Sequence, residues 1–315
     1  MLEILAITLP IFLLIGTGFV AARSGLISRD NMQGVATFVM YLALPSLIIR
    51  ALSDYPLAEV LNVGYLVAYG LGSALVFVIG IALSRARGQR LDAGAIEALG
   101  MSAANSGFIG YPVALMAIGP PAAIFMALNM VIETLLIIPA ALILAEASRQ
   151  NGGNLGQVAR QTFARLSRNP VLIGLLIGLS LALSGLRLPG PLQQVIEMLA
   201  DAAGPAALFT IGAMLHGLRV RGMAASMGQV VLGKLILHPL AVLLFLLLLS
   251  DPSPLMIAGG LLFASAPMIS VYPLFGQTYG QGETSAAALM VGTLSAFVTL
   301  SLMLWALTLF GLLPT

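Results

Sequence analysis

The chain has 315 residues, of which only 14 are Lys or Arg and 12 are Asp or Glu, 8% in all against 59% apolar. A soluble domain averages roughly 25% charged residues, so a soluble enzyme, a nucleic-acid binder and a disordered chain are excluded. The absence of cysteine excludes disulfides, thiolate metal sites and thiol catalysis.

What the composition leaves is an all-α polytopic membrane protein with room for about ten spanning helices of ~20 residues each. The chain opens MLEILAITLPIFLLIGTGFVAARSG, with Glu3 as its first charge and no Lys or Arg ahead of the apolar run. A secretory leader carries a basic start, so this segment reads as a retained first span. Apolar runs bounded by charges and Gly/Pro clusters then predict spans at about 4–22, 33–50, 60–84, 93–117, 121–146, 170–186, 192–216, 226–249, 254–276 and 285–311. The loops after spans 1, 3, 5 and 7 carry Arg23 and Arg29; Arg85, Arg87 and Arg90; Arg149, Arg160, Arg165 and Arg168; Arg219 and Arg221. Those are eleven of the 14 cations, with Arg50 and Arg187 on the other face and Lys234 inside a span. The positive-inside rule makes the eleven-cation face cytoplasmic and puts both termini outside.

Two stretches repeat. AANSGFIGYPVALMAIG at 103–119 matches ASAPMISVYPLFGQTYG at 264–280, with Tyr111-Pro112 over Tyr272-Pro273 and Gly119 over Gly280. At nearly the same offset, Ser24-Gly25-Leu26 meets Ser184-Gly185-Leu186 and Pro45 meets Pro205. Residues 1–146 and 170–315 are therefore expected to form two halves of five spans, with a cytoplasmic linker at 147–169. An odd span count turns the halves over relative to one another.

Spans 4 and 9 each carry Tyr-Pro near mid-span. A proline there removes a hydrogen bond and clashes with the preceding turn, at roughly 3 kcal/mol. Span 4 adds Asn105, Ser106, Gly107 and Gly110; span 9 adds Pro267, Ser265 and Ser270. Interrupted segments at matched repeat positions predict broken helices that cross at a binding site, their half-helix starts favouring an anion. Ordinary proline kinks are the plainer alternative.

These residues carry a resemblance. Asn105-Ser-Gly-Phe-Ile-Gly110-Tyr-Pro112 resembles the Asn-x-x-x-x-Gly-x-Pro stretch of the auxin efflux carrier family, which includes plant auxin exporters and bacterial malonate or other organic-acid permeases. Ala266-Pro267-Met-Ile-Ser-Val-Tyr-Pro273 is similar to that family's ninth span. Leu44-Pro45 in span 2, Gly204-Pro205 in span 7 and Lys234-Leu-Ile-Leu-His238-Pro239 in span 8 also match. The resemblance implies a ten-span 5+5 inverted repeat like that of bile-acid symporters and some sodium–proton antiporters. It also implies a scaffold of spans 1–2 and 6–7 that dimerises and a moving transport domain of spans 3–5 and 8–10. Ala266, Met268 and Ile269 stand where plant members carry more polar groups, which argues against auxin as the substrate.

Lys234, the one lysine, lies about 12 Å into span 8 by helical rise. A charge at that depth is costly and by default functional. It reads as counter-charge to a substrate carboxylate or partner of a transport-domain acid, against an anchoring role. His238 lies one turn on, suited to proton coupling or to structure. Glu133, near the middle of span 5, is a candidate proton carrier or partner of Lys234, against a neutral hydrogen-bonded Glu. Glu97 reads as interfacial, and Glu197 and Asp201 as near the outer surface. Tyr111 and Tyr272 read as stacking on substrate or closing the gap between half-helices.

The expected function is a secondary carrier of small organic anions in the plasma membrane, the inner membrane of a bacterium. It would work by alternating access of the elevator type. The substrate-binding set is Asn105, Ser106, Gly107, Gly110, Tyr111, Pro112, Pro267, Met268, Tyr272, Pro273 and Lys234, with Glu133 and His238 as coupling candidates. Neither cofactor nor metal is expected beyond coupling to H+ or Na+. The expected partners are the anion, lipid and a second copy of the chain, with no nucleic acid. A receptor on the same fold shares these features. An intramembrane hydrolase would need a catalytic motif such as H-E-x-x-H or G-x-S-x-G, and the chain has neither.

Overall fold

The structure is a computed structural model, and it describes residues 2–54, 62–149, 168–186, 188–216 and 224–313. The linker expected at 147–169 lies mostly outside these residues, as do Arg160, Arg165, Arg187, Arg219 and Arg221. Fifteen α-helices account for most of what is described: α1 (Leu2–Arg23), α2 (Arg29–Phe38), α3 (Leu44–Asp54), α4 (Val63–Ala86), α5 (Leu91–Ser102), α6 (Tyr111–Ile118), α7 (Ala122–Ile132) and α8 (Ile138–Arg149); then α9 (Pro170–Ser184), α10 (Gly190–Leu215), α11 (Ala224–Leu232), α12 (His238–Leu247), α13 (Pro254–Ala264), α14 (Tyr272–Thr278) and α15 (Gly282–Leu309). Among the described residues six helical stretches are long and apolar enough to cross a membrane: Asn31–Ser53, Val63–Ala86, Ala122–Arg149, Gly190–Leu215, Ala224–Leu247 and Gly282–Leu309. Shorter apolar helices occupy Leu9–Arg23, Ser106–Ile118, Leu172–Ser184 and Pro254–Ala264.

Four helices widen locally into π-turns, at Val39–Ala43, Ser106–Gly110, Glu133–Ile137 and Gly233–Leu237. Each turn ends two residues before a proline: Pro45, Pro112, Pro139 and Pro239. The cause is local. A proline has no N–H to donate and its ring collides with the carbonyl four residues back. Widening to bonds of the type Tyr111 N–H to Ser106 carbonyl keeps the helix going past the obstruction. These prolines therefore bulge their helices without breaking them.

Small residues set the closest approaches. A Cβ added at Gly18 would lie 2.0 Å from the Phe209 carbonyl oxygen, and one at Gly212 1.8 Å from that of Ile15, so α1 and α10 cross with backbones in contact. Without a hydrophobic force between helices in lipid, such close packing supplies much of their association. α9 lies on α3, which also meets α10; α4 packs on α5 and α12, α5 on α8, and α14 on α15. Leu71, Leu75 and Val78 on α4, Leu240, Leu244 and Leu247 on α12, and Leu294, Val298 and Leu302 on α15 face outward. Exposed apolar stripes of this extent need a nonaqueous solvent. The glycines matched in the sequence repeat also match in conformation: Gly25 and Gly185 have φ of 76° and 64°, and Gly119 and Gly280 of 73° and 76°.

Candidate functional site: two helix breaks that meet

The helical path stops twice inside the apolar interior. α5 ends at Ser102; Ala103 is extended (φ −99°, ψ 125°), and helix resumes at Ser106. α13 ends at Ala264, and residues 265–271 run without helix to α14. The two stretches meet antiparallel, Ala104 opposite Met268, and the Asn105 N–H donates to the Pro267 carbonyl at 2.7 Å. Backbone at membrane depth must find partners within the protein. Here each break supplies them to the other.

The sequence located these breaks at their Tyr-Pro pairs, and the structure moves the first. Residues 103–105 precede Pro112 by seven or more positions, and Pro112 marks the π-turn instead. In the second break Pro267 does lie in the nonhelical stretch, while Pro273 opens α14, where its missing N–H costs nothing. Asn105 organises the join. Its Oδ1 accepts from the Phe108 N–H at 3.2 Å, capping the Ser106 turn, and its Nδ2 donates to Ser270 Oγ at 2.8 Å. Gly107 and Gly110 are tight against Leu44 and Phe263, where an added Cβ would lie 2.8 and 2.7 Å away. Met268 fills the space beside Gly292, and Tyr272 lies over Gly100.

A buried ionisable side chain stands at each break. Glu133 (5% exposed) accepts on Oε1 from the Ala104 N–H at 3.1 Å and the Ser106 hydroxyl at 2.8 Å. Its carboxylate thus faces the start of the Ser106–Ile118 helix, the positive end of the helix dipole. Lys234, wholly buried, donates from Nζ to the Ala264 carbonyl at 2.6 Å, the last residue of α13 and the negative end of that dipole. Nζ also lies 2.7 Å from His238 Nδ1. With Nζ as the donor, Nδ1 accepts and the Nε2 proton faces Ser73 Oγ at 2.9 Å. Glu133 and Lys234 each hold a different break, and no ion pair within 4.0 Å joins them.

The family of membrane transport proteins matches residues 4–305. The chain belongs to that family. It is also 31% identical over 314 residues to a Rhizobium meliloti (strain 1021) protein named "Putative malonate transporter", covering 97% of this chain and 96% of the other. Family membership and the apolar helices together make this an integral membrane protein.

The structure brings together more of this membrane transport protein than the sequence indicated. Tyr65 donates to Asn129 Oδ1 at 2.9 Å, and the Tyr69 ring stands edge-on to His238. Buried and without hydrogen-bond partner are Tyr69 Oη, Asn129 Nδ2, Ser265 Oγ and Thr293 Oγ1. Glu97, read as interfacial, is 1% exposed within the protein and engaged by Ser84 and Arg87. Arg87, just past α4, folds back over it while also reaching Ser226 on α11. Arg149 fastens α14 to α5 and α8, its Nε 3.3 Å from Asp92 Oδ2 and its Nη1 donating to the Thr278 carbonyl at 2.9 Å. The sequence signal for these contacts was faint, since each joins residues far apart in the chain. The crossover itself is closed. Asn105, Ser106, Tyr111, Met268 and Tyr272 are all 3% exposed or less.

Proposed function

We propose that this protein is a secondary carrier of small organic anions, mono- or dicarboxylates of the size of malonate, working by alternating access of the elevator type. The observation that carries the reading is the join at Ala104–Met268, where Asn105 and the start of the Ser106–Ile118 helix converge beside two buried, oppositely charged side chains. First-turn N–H groups lack acceptors within their own helix and favour an anion. The substrate set is the sequence-derived one, with Asn105, Ser106 and Gly107 at its centre. Lys234 serves it as a positioning residue, since its ammonium is committed to Ala264 and His238. The name of the Rhizobium meliloti relative favours malonate.

In this reading ten spans form two inverted five-span halves, 1–146 and 170–315, the broken helices being spans 4 and 9. The α1–α10 and α3–α9 contacts support a static scaffold that pairs with a second copy. The contacts among α4, α5, α8, α11, α12 and α15 support a body that moves as a unit. The arginine-rich face is cytoplasmic and both termini lie outside, in the plasma membrane. Coupling is to H+ or Na+; a coupled proton would be carried by Glu133, because His238 is held between Lys234 and Ser73.

A thermal-shift series with mono- and dicarboxylates, with and without sodium, followed by counterflow in proteoliposomes, tests the reading. A carboxylate that raises Tm and also exchanges across the membrane supports a carrier, since a ligand of the native state stabilises it by mass action. Stabilisation without exchange points to a receptor.

A further inference from the structure

Arg50 stands apart from the crossover charges. Under the orientation proposed above it is the one basic side chain among the described residues on the extracytoplasmic face. It borders a cavity of about 350 Å³ whose lining includes Ser53, Leu186, Gln193 and Glu197. That volume suits a small ligand. Arg50 Nη1 lies 2.7 Å from Asp201 Oδ1 on α10, the two side chains being 28% and 74% exposed. Arg50 lies on α3, whose other end reaches the crossover: Leu44 packs against Gly107, where an added Cβ would lie 2.8 Å from it. One helix therefore runs from an open cavity to the closed crossover.

Resting on the carrier reading, we propose that Arg50 is the anion-recognition group of an extracytoplasmic vestibule, where it takes a carboxylate of the cargo before the crossover does. A guanidinium presents five N–H donors in a planar fork that matches a carboxylate bidentately. Its present partner is easily displaced, because an ion pair with so exposed an acid is worth at most ~1 kcal/mol. An arriving carboxylate replaces Asp201 on the guanidinium. Glu197, held to Gln193 at 2.9 Å, and Asp201 place negative charge beside the site. They keep binding weak, as a point of passage requires.

The test is malonate transport in oriented proteoliposomes, with KM measured separately from each side, for wild type, Arg50→Lys, Arg50→Gln and Asp201→Asn. Loss of a hydrogen-bonded charge pair to the ligand predicts an extracytoplasmic KM raised about tenfold or more in Arg50→Gln. The rise is smaller in Arg50→Lys. The cytoplasmic-side KM stays near wild type in both, and because detailed balance fixes the ratio of kcat/KM between the two directions, kcat for outward flux falls in proportion. Asp201→Asn, which frees the guanidinium, lowers the extracytoplasmic KM. The proposal is overturned if KM rises equally from both sides, if Arg50→Gln leaves it unchanged, or if Asp201→Asn is as harmful as Arg50→Gln, the pattern of a purely structural ion pair. Wild-type protein that neither binds nor moves any carboxylate would instead remove the carrier reading on which the proposal stands.

Discussion

Between Ser102 and Ser106 the chain leaves helix for three residues and sets a carboxylate, Glu133, against the start of the helix that follows. Between Ala264 and Tyr272 it leaves for seven and sets an ammonium, Lys234, against the end of the helix it has left. The backbones pair with one another, yet the charges are opposite. The difference follows from which dipole end each break leaves in the apolar interior. A positive end takes Glu133 and a negative end takes Lys234. Neither charge needs a substrate to justify its burial. In the proposed carrier, anion binding then rests on Asn105 and its neighbouring N–H groups, with Lys234 holding the frame.

That comparison breaks first at Lys234. Lys234→Met strips the donor from two buried acceptors, the Ala264 carbonyl and His238 Nδ1, and is expected to cost on the order of 3 kcal/mol. Thermal unfolding in detergent reads this as the largest drop in Tm among the variants; a wild-type Tm would refute the capping role. Glu133→Gln keeps an oxygen for the Ala104 N–H and Ser106 but removes the charge, so about 1–2 kcal/mol is expected from the helix-end interaction alone. Its flux should also lose its dependence on pH, whereas a retained profile would take proton coupling away from Glu133. Ser73→Ala removes only the outer partner of His238, a loss of about 0.6 kcal/mol typical of hydrogen bonds between membrane helices. A destabilisation as large as that of Lys234→Met would mean that Ser73, too, holds the frame.

Much of this was legible in the chain. Apolar runs placed the helices within a few residues, since membrane depth fixes their length. Gly25, Gly119, Gly185 and Gly280 marked equivalent turns, because a left-handed backbone favours glycine wherever it falls. Pro112 was read as a break where, like Pro45, Pro139 and Pro239, it makes a π-turn: a missing N–H states that a helix must adjust, not how. Residues 103–105 contain no proline, and their break depends on Pro267 and Met268 across the join, a tertiary partner that no local pattern encodes. For the same reason the partners of Lys234, the burial of Glu97 beneath Arg87 and the pairing of Arg50 with Asp201 stayed out of view. Depth in a span identified Lys234 and Glu133 as consequential. Only the geometry revealed that each answers a helix end.

The central claim is that the meeting of the two breaks is where the anion is held, and Asn105 is its most direct probe. Its side chain caps the Ser106 turn and reaches Ser270 across the join. Malonate uptake into proteoliposomes should be compared for wild type and Asn105→Ala, both purified as folded protein with matched reconstitution. Uptake by wild type, with the variant reduced to the level of protein-free liposomes, is the result expected. Asn105→Ala transporting at the wild-type rate would contradict it.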